Sequence, residues 1–244
     1  MKKITTYLLL IFVISTMLFA GCAAPDAGGD AAEADTIKIG WIGSLTGDQA
    51  VWGTCEFDTL KMVVEDANAA GGILGKQIEV IGYDTRGDAT EAVNAVKRLT
   101  SQDKVVAILG PNASGQAISI SGVLDQMKVA NIATVATNPK VTVNDDGSVK
   151  PYNFRVCFID PYQGAVAAGY AADKLNFTKA AILYDVTSDY SQGLTEFFEK
   201  TFTEKGGSVV VKEGFKAGDV DFRAQLSKIK ESRAEVIFMP YYYK

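Results

Sequence analysis

From residue 37 onward, short and nearly continuous apolar runs alternate with longer segments whose apolar residues recur at three- and four-residue spacing. That rhythm narrows the fold more than any other feature of the chain. Residues 37–42 read as a first strand, and 55–70 as a helix with Phe57, Leu60, Val63, Val64 and Ala67 on one face. Gly71-Gly72 stops this helix. Further strands are expected at 78–83, 105–109 and 130–135. Helices are expected at 90–101, with Ala92, Val93, Val96 and Leu99 inward, and at 115–127. Strands that are apolar along their whole length, each followed by a helix, imply a parallel sheet covered on both faces.

The rhythm breaks over 138–151, which holds Pro139, Pro151 and the polar turn Asn144-Asp145-Asp146-Gly147. A short strand at 154–156 precedes Asp160-Pro161, and alternation then resumes. Helices are expected at 162–174, 191–205 and 221–230, and strands at 180–184, 209–213 and 236–239. The pattern describes an α/β chain of two doubly wound, Rossmann-like lobes, 36–157 and 158–244, with a crossover near 157–160. One continuous sheet with a long insertion is the competing arrangement. Tyr241-Tyr242-Tyr243-Lys244 follows a strand directly, so the second lobe is expected to be incomplete, as if truncated at its C-terminal end.

The first residues bear on compartment. Lys2 and Lys3 precede an apolar run over 7–19 that ends in Leu18-Phe19-Ala20-Gly21-Cys22. The run is too short for a mature transmembrane helix and fits a signal peptide over 1–21. Small residues just ahead of a cysteine resemble a bacterial lipobox, with Phe19 where Leu is usual. Lipidation of Cys22 is therefore expected, followed by a flexible tether over 22–35 of Ala, Gly, Asp and Glu with one Pro. The chain is then extracytoplasmic and held to the membrane by its lipid alone.

A net charge of −5 argues against nucleic acid or an anionic membrane surface as a partner. The sequence has no histidine, which removes Ser-His-Asp and Cys-His chemistry, His-containing zinc sites and imidazole acid–base work. No cofactor or metal is implied, and an enzyme is not expected. Cys55 and Cys157 are expected as reduced, partly buried thiols.

In open α/β sheets ligands lie beyond the carboxyl ends of the strands. The first strand leads into a polar loop over 44–53 that presents Trp52. The third leads into Gly110-Pro111-Asn112-Ala113-Ser114-Gly115, where Ser114 is placed to cap a helix whose free N–H groups suit a carboxylate. The fourth leads into Val135-Ala136-Thr137-Asn138-Pro139, which brings a hydroxyl to the same space. In the second half Tyr190 opens a helix, and the last strand ends in Pro240-Tyr241-Tyr242-Tyr243. Tyrosines facing Trp52 would form an aromatic cage for an ammonium, although core or rim packing is the commoner role of any single Tyr. There is no phosphate loop: neither Gly-x-Gly-x-x-Gly spacing nor Gly-Lys-Ser/Thr occurs.

Six segments, in order, resemble the branched-chain amino-acid binding proteins of ABC transporters. They are Ile39-Gly40 through Thr46-Gly47, Asn68-Ala69-Ala70-Gly71-Gly72-Ile73-Leu74-Gly75-Lys76, Tyr83-Asp84-Thr85, Ile108-Leu109-Gly110-Pro111 to Ser114, Ala136-Thr137-Asn138-Pro139 and Asp189-Tyr190-Ser191-Gln192-Gly193. The resemblance implies the type I periplasmic binding protein fold and a monomer that hands a small amino acid or related carboxylate to ABC permease subunits. It further implies that Ser114 and Thr137 grip the ligand carboxylate beside the backbone of Val135, with Trp52 over the ligand and Tyr190 and Tyr242 from the second lobe. The family's acidic residue for the ligand ammonium falls beyond Lys244. A disulfide that some relatives carry is absent, because Gly87 and Ala113 stand in those places. The same fold also serves ligand-sensing receptor modules, and its other solutes include amides, urea and aromatic acids.

Overall fold

The computed structural model describes residues 36–243. The expected leader, Cys22 and the tether lie outside the described residues. The chain builds two all-parallel sheets. The first, in the order β2-β1-β3-β4-β5, contains β1 (Ile37–Gly43), β2 (Ile78–Asp84), β3 (Ala107–Leu109), β4 (Ala130–Ala133) and β5 (Asn153–Arg155). The second, in the order β7-β6-β8, contains β6 (Lys179–Asp185), β7 (Ser208–Phe215) and β8 (Val236–Phe238). The helices are α1 (Ala50–Ala69), α2 (Ala89–Arg98), α3 (Ser114–Ser119), α4 (Ser121–Met127), α5 (Asp160–Gly169), α6 (Asp189–Glu204) and α7 (Arg223–Glu231). Both sheets lie within one compact unit.

Strand β1 shows why the first sheet is wound on both sides. Neighbouring side chains point to opposite faces. Trp41, fully buried, meets Phe57 of α1 with ring centroids 4.6 Å apart. Ile42, also fully buried, joins Val96, Leu99, Ile108, Ile120 and Leu124 on the other face. In the second sheet Ile182 packs with Ala168, Phe198 and Phe202 on one face. Ala181 and Leu183 meet Phe215 and Ile229 on the other. Phe198 stacks on Phe202 and on Phe238 of β8 at 5.4 and 4.1 Å.

Several boundaries differ from the sequence reading. Helix α1 begins at Ala50 rather than 55, so Trp52 sits in a helical first turn and not in a loop. On that helix Phe57, Leu60 and Ala67 are half-buried and Val64 is buried, but Val63 is exposed. Val63 lies one residue off the inward stripe, and a run of adjacent apolar residues cannot all face one way. Cys55 is exposed for the same reason, whereas Cys157 is half-buried; both are free thiols. The helix expected over 115–127 is two helices meeting at Ile120. Strand β4 ends at Ala133, which leaves Val135 in the following loop. Among the described residues no helix is long and apolar enough to cross a membrane.

Candidate functional site

The carboxyl ends of both sheets face one cleft, and its first wall depends on a glycine. A Cβ on Gly53 would lie 2.0 Å from the carbonyl oxygen of Ser44, so only glycine lets α1 settle directly on the end of β1. That approach carries Gln49 and Trp52 over the cleft. The loop beneath is tied by Asp84, whose carboxylate accepts from the N–H groups of Leu45, Thr46 and Arg86 and from the Thr46 hydroxyl. Burial opposes ionisation of Asp84, yet these hydrogen bonds hold it below the usual carboxylate range.

Ser114 is fully buried but does not cap its helix. Ala113 holds the cap position, and Ser114 is the first helical residue. Its hydroxyl oxygen instead accepts from the N–H of Asn138 at 3.3 Å, joining the loop after β3 to the loop after β4. The loop after β4 is clamped from β5, where Arg155 donates to the carbonyls of Asn138 and Ala136 at 2.7 and 3.3 Å and to the Thr142 hydroxyl at 3.1 Å. Thr137 is thereby presented to the cleft, its hydroxyl beside the Asp160 carboxylate but without a hydrogen bond of normal geometry.

The second wall comes from α6 and the segment after β8. Ser188 caps α6, which places Tyr190 in its first turn. Tyr190 accepts from Gln163 at 3.2 Å and stacks on Tyr242 with centroids 4.6 Å apart. Tyr243 meets Trp52 at 4.8 Å. The Ser191 hydroxyl donates to the carbonyl of Pro240 at 2.6 Å, steering residues 241–243 into the cleft. They divide it into cavities of about 330 and 230 Å³.

Trp52, Val135, Thr137, Tyr190 and Tyr242 all line the smaller cavity. Ser114 does not line it, because the Tyr242 phenol lies against the Ser114 N–H and hydroxyl. Burial drives the Tyr242 hydroxyl far above the usual phenol range, with the Ser114 donors acting against it. A tyrosine oxygen therefore sits where the resemblance implies a ligand carboxylate. The aromatic residues pair, Trp52 with Tyr243 and Tyr190 with Tyr242, and both pairs border the smaller cavity.

Four residues escaped the sequence reading as site components. Asp160 opens α5, is fully buried, and neither carboxylate oxygen makes a hydrogen bond of normal geometry. Burial pushes it up to about 6, against the pull of the neighbouring Thr137 hydroxyl and the Arg155 charge. Glu56, one turn beyond Trp52, accepts from the Thr134 hydroxyl and is pushed by burial up to about 7. Asn112 and Gln163 line the smaller cavity. Asp160-Pro161 carried the one available signal, and it marked only a helix start; periodicity says nothing about which polar residues end up enclosed.

The chain matches the model of a protein family described as periplasmic binding protein over residues 36–242. It is 35% identical over 202 residues to an "Amino acid binding protein" of Pseudomonas aeruginosa, covering 83% of this chain and 53% of that one. Among solved structures it is similar to the branched-chain amino acid transporter substrate binding protein LivJ of Streptococcus pneumoniae in complex with isoleucine. That match has 36% identity and a TM-score of 0.77, and covers 85% of this chain and 57% of the other. The leucine binding protein LivK of Thermotoga maritima gives 35% identity and a TM-score of 0.77, with 84% and 56% covered. The chain thus spans a little over half the length of the relatives it matches. With two parallel sheets whose carboxyl ends share one cleft, and with that match along nearly all the described residues, the chain belongs to the periplasmic binding protein family and has its type I fold.

Proposed function

We propose that this protein captures a small amino acid, of the branched-chain type or a related carboxylate, and delivers it to the permease subunits of an ABC importer. The observation that carries this reading is convergence. Trp52, Val135 and Thr137 from the first sheet and Tyr190 and Tyr242 from the second border a single cavity at the carboxyl ends of the strands. Ser114 and Thr137 serve as hydroxyl donors to the ligand carboxylate. The carboxylate takes the place of the Tyr242 phenol at Ser114, so binding requires the second wall to swing out and close again. Family members are solute-binding proteins, and the enclosed groups here suit holding a ligand better than transforming one.

The lobes are residues 36–157 and 158–244, and the protein works as a monomer outside the cytoplasm, tethered through a lipid on Cys22. Replacing Cys22 by Ala should release it from the membrane fraction or leave the leader uncut; unchanged processing and membrane association would remove the anchor from the reading. The solute reading is tested by a thermal-shift screen of the complete gene product against amino acids and small carboxylates. A ligand at one hundred times its Kd should stabilise the folded state by about 2.7 kcal/mol. No shift with any member of the panel would overturn it.

A further inference from the structure

Three buried polar atoms without hydrogen-bond partners meet beside Gly87: Ser44 Oγ, Gln49 Oε1 and Gln116 Nε2. A Cβ built on Gly87 would lie 3.8 Å from the first and 4.0 Å from each of the others, so all three surround one point. Gly87 holds a φ of +79°, a conformation that keeps a side chain out of this space. Ser44 is 0% and Gln116 2% exposed, so bulk water does not serve their polar atoms. Gln116 is oriented: its Oε1 accepts from the buried Thr85 hydroxyl at 3.0 Å, which turns Nε2 toward the niche as a donor. Gln49 offers an acceptor and Ser44 either role. Gln49, Gly87 and Gln116 line the cavity of about 330 Å³, and Gln49 and residues 241–243 also border the smaller one. The niche therefore opens on the same cleft as Trp52.

We infer that this niche receives the polar end of the captured solute, and that the solute carries a carboxamide. Its carbonyl accepts from Gln116 Nε2 and its N–H donates to Gln49 Oε1, with the Ser44 hydroxyl as a further partner. This rests on the solute-binding reading above and keeps its carboxylate grip. Of its two arms it favours a related carboxylate over the aliphatic branched-chain type, since an aliphatic side chain would seal off all three atoms with their hydrogen bonds unmade. A site built to hydrogen-bond its ligand discriminates strongly against the shape-matched analogue that lacks the polar group.

The test is calorimetry on the complete gene product with L-asparagine and its near-isostere L-leucine, repeated in Gln49→Met and Gln116→Met. Asparagine should bind about tenfold or more tightly than leucine. Each variant should lose about tenfold for asparagine and nothing for leucine. Gln116→Met also strands the Thr85 hydroxyl; if that variant does not fold, Gln49→Met, at a half-buried position, decides the matter alone. Leucine binding as tightly as asparagine, or a preference that both variants leave unchanged, would mean the niche holds only water and would overturn this inference while the solute reading stands. If neither amino acid binds and no carboxylate in the panel does, both readings fail together.

Discussion

The hydroxyls of Ser114 and Thr137 occupy different situations. Ser114 accepts from the Asn138 N–H and turns its own proton toward the Tyr242 phenol, whereas the Thr137 hydroxyl lies beside the Asp160 carboxylate without a hydrogen bond of normal geometry. Ser114→Ala and Thr137→Val should each weaken ligand binding by about 1.5–3 kcal/mol, the worth of one hydrogen bond to a charged group. Calorimetry reads this directly, and wild-type affinity in both would place the carboxylate elsewhere. Asp160 and Glu56 act on stability instead. Their folded pKa values lie at about 6 and about 7, above the ordinary 3.8 and 4.5. The native state thus holds these protons more tightly than the unfolded chain. Their contribution is complete below the unfolded values and is lost as pH rises through 6 and 7. Asp160→Asn should therefore raise stability at pH 8 by roughly 2–3 kcal/mol and flatten the loss between pH 4 and 6. Urea denaturation at several pH values checks this, and an unaltered profile would show that Asp160 is solvated in the native state.

At the scale of elements, two helices are seated by glycines. Gly53 brings α1 onto Ser44, and Gly193 brings α6 onto Asp160 and Asn138: a Cβ there would lie 2.5 Å from Asp160 Oδ2 and 2.8 Å from Asn138 Nδ2. Gly53→Ala meets backbone, which cannot step aside, and should cost about 1–3 kcal/mol while moving Trp52. Equilibrium denaturation gives the first effect and tryptophan fluorescence the second, with Trp41 buried and constant as the internal reference. Full stability together with an unchanged spectrum would show that α1 can begin later without consequence.

Over the whole molecule, polar links join the regions around the two sheets, among them the Asp160 N–H to the Thr137 carbonyl at 3.0 Å. Asn138 Nδ2 donates to the carbonyl of Asp189 at 2.8 Å, tying the loop after β4 to the start of α6. Its side-chain oxygen accepts from the Lys140 N–H at 2.9 Å. Asn138→Ala should destabilise the unliganded protein by about 1–3 kcal/mol, because it removes the side-chain donor to the Asp189 carbonyl and the acceptor for the Lys140 N–H. It should also change the scattering difference between free and ligand-bound protein, since this bond must be kept or remade as the cleft closes. An identical difference in the variant would mean that the connection plays no part in closure.

The alternating pattern of apolar strands and amphipathic helices determined the parallel sheets, the order of elements and the strand ends at which a site could lie, because side-chain period and βα handedness act locally. It therefore put Trp52, Ser114, Thr137, Tyr190 and the 241–243 tyrosines at strand ends, while the family resemblance, not the pattern, singled out Val135 and Tyr242. Tertiary structure alone decided the rest. Whether α1 starts at Ala50 turns on Gly53 meeting Ser44, a contact between separate elements that local propensity reads as a loop. Whether Ser114 caps a helix or anchors Asn138 depends on where the next loop passes. Asp160, Glu56, Gln49 and Gln116 are ordinary polar residues in the sequence. Their raised pKa values and unmade hydrogen bonds come from burial, which belongs to the packed chain and to no residue on its own.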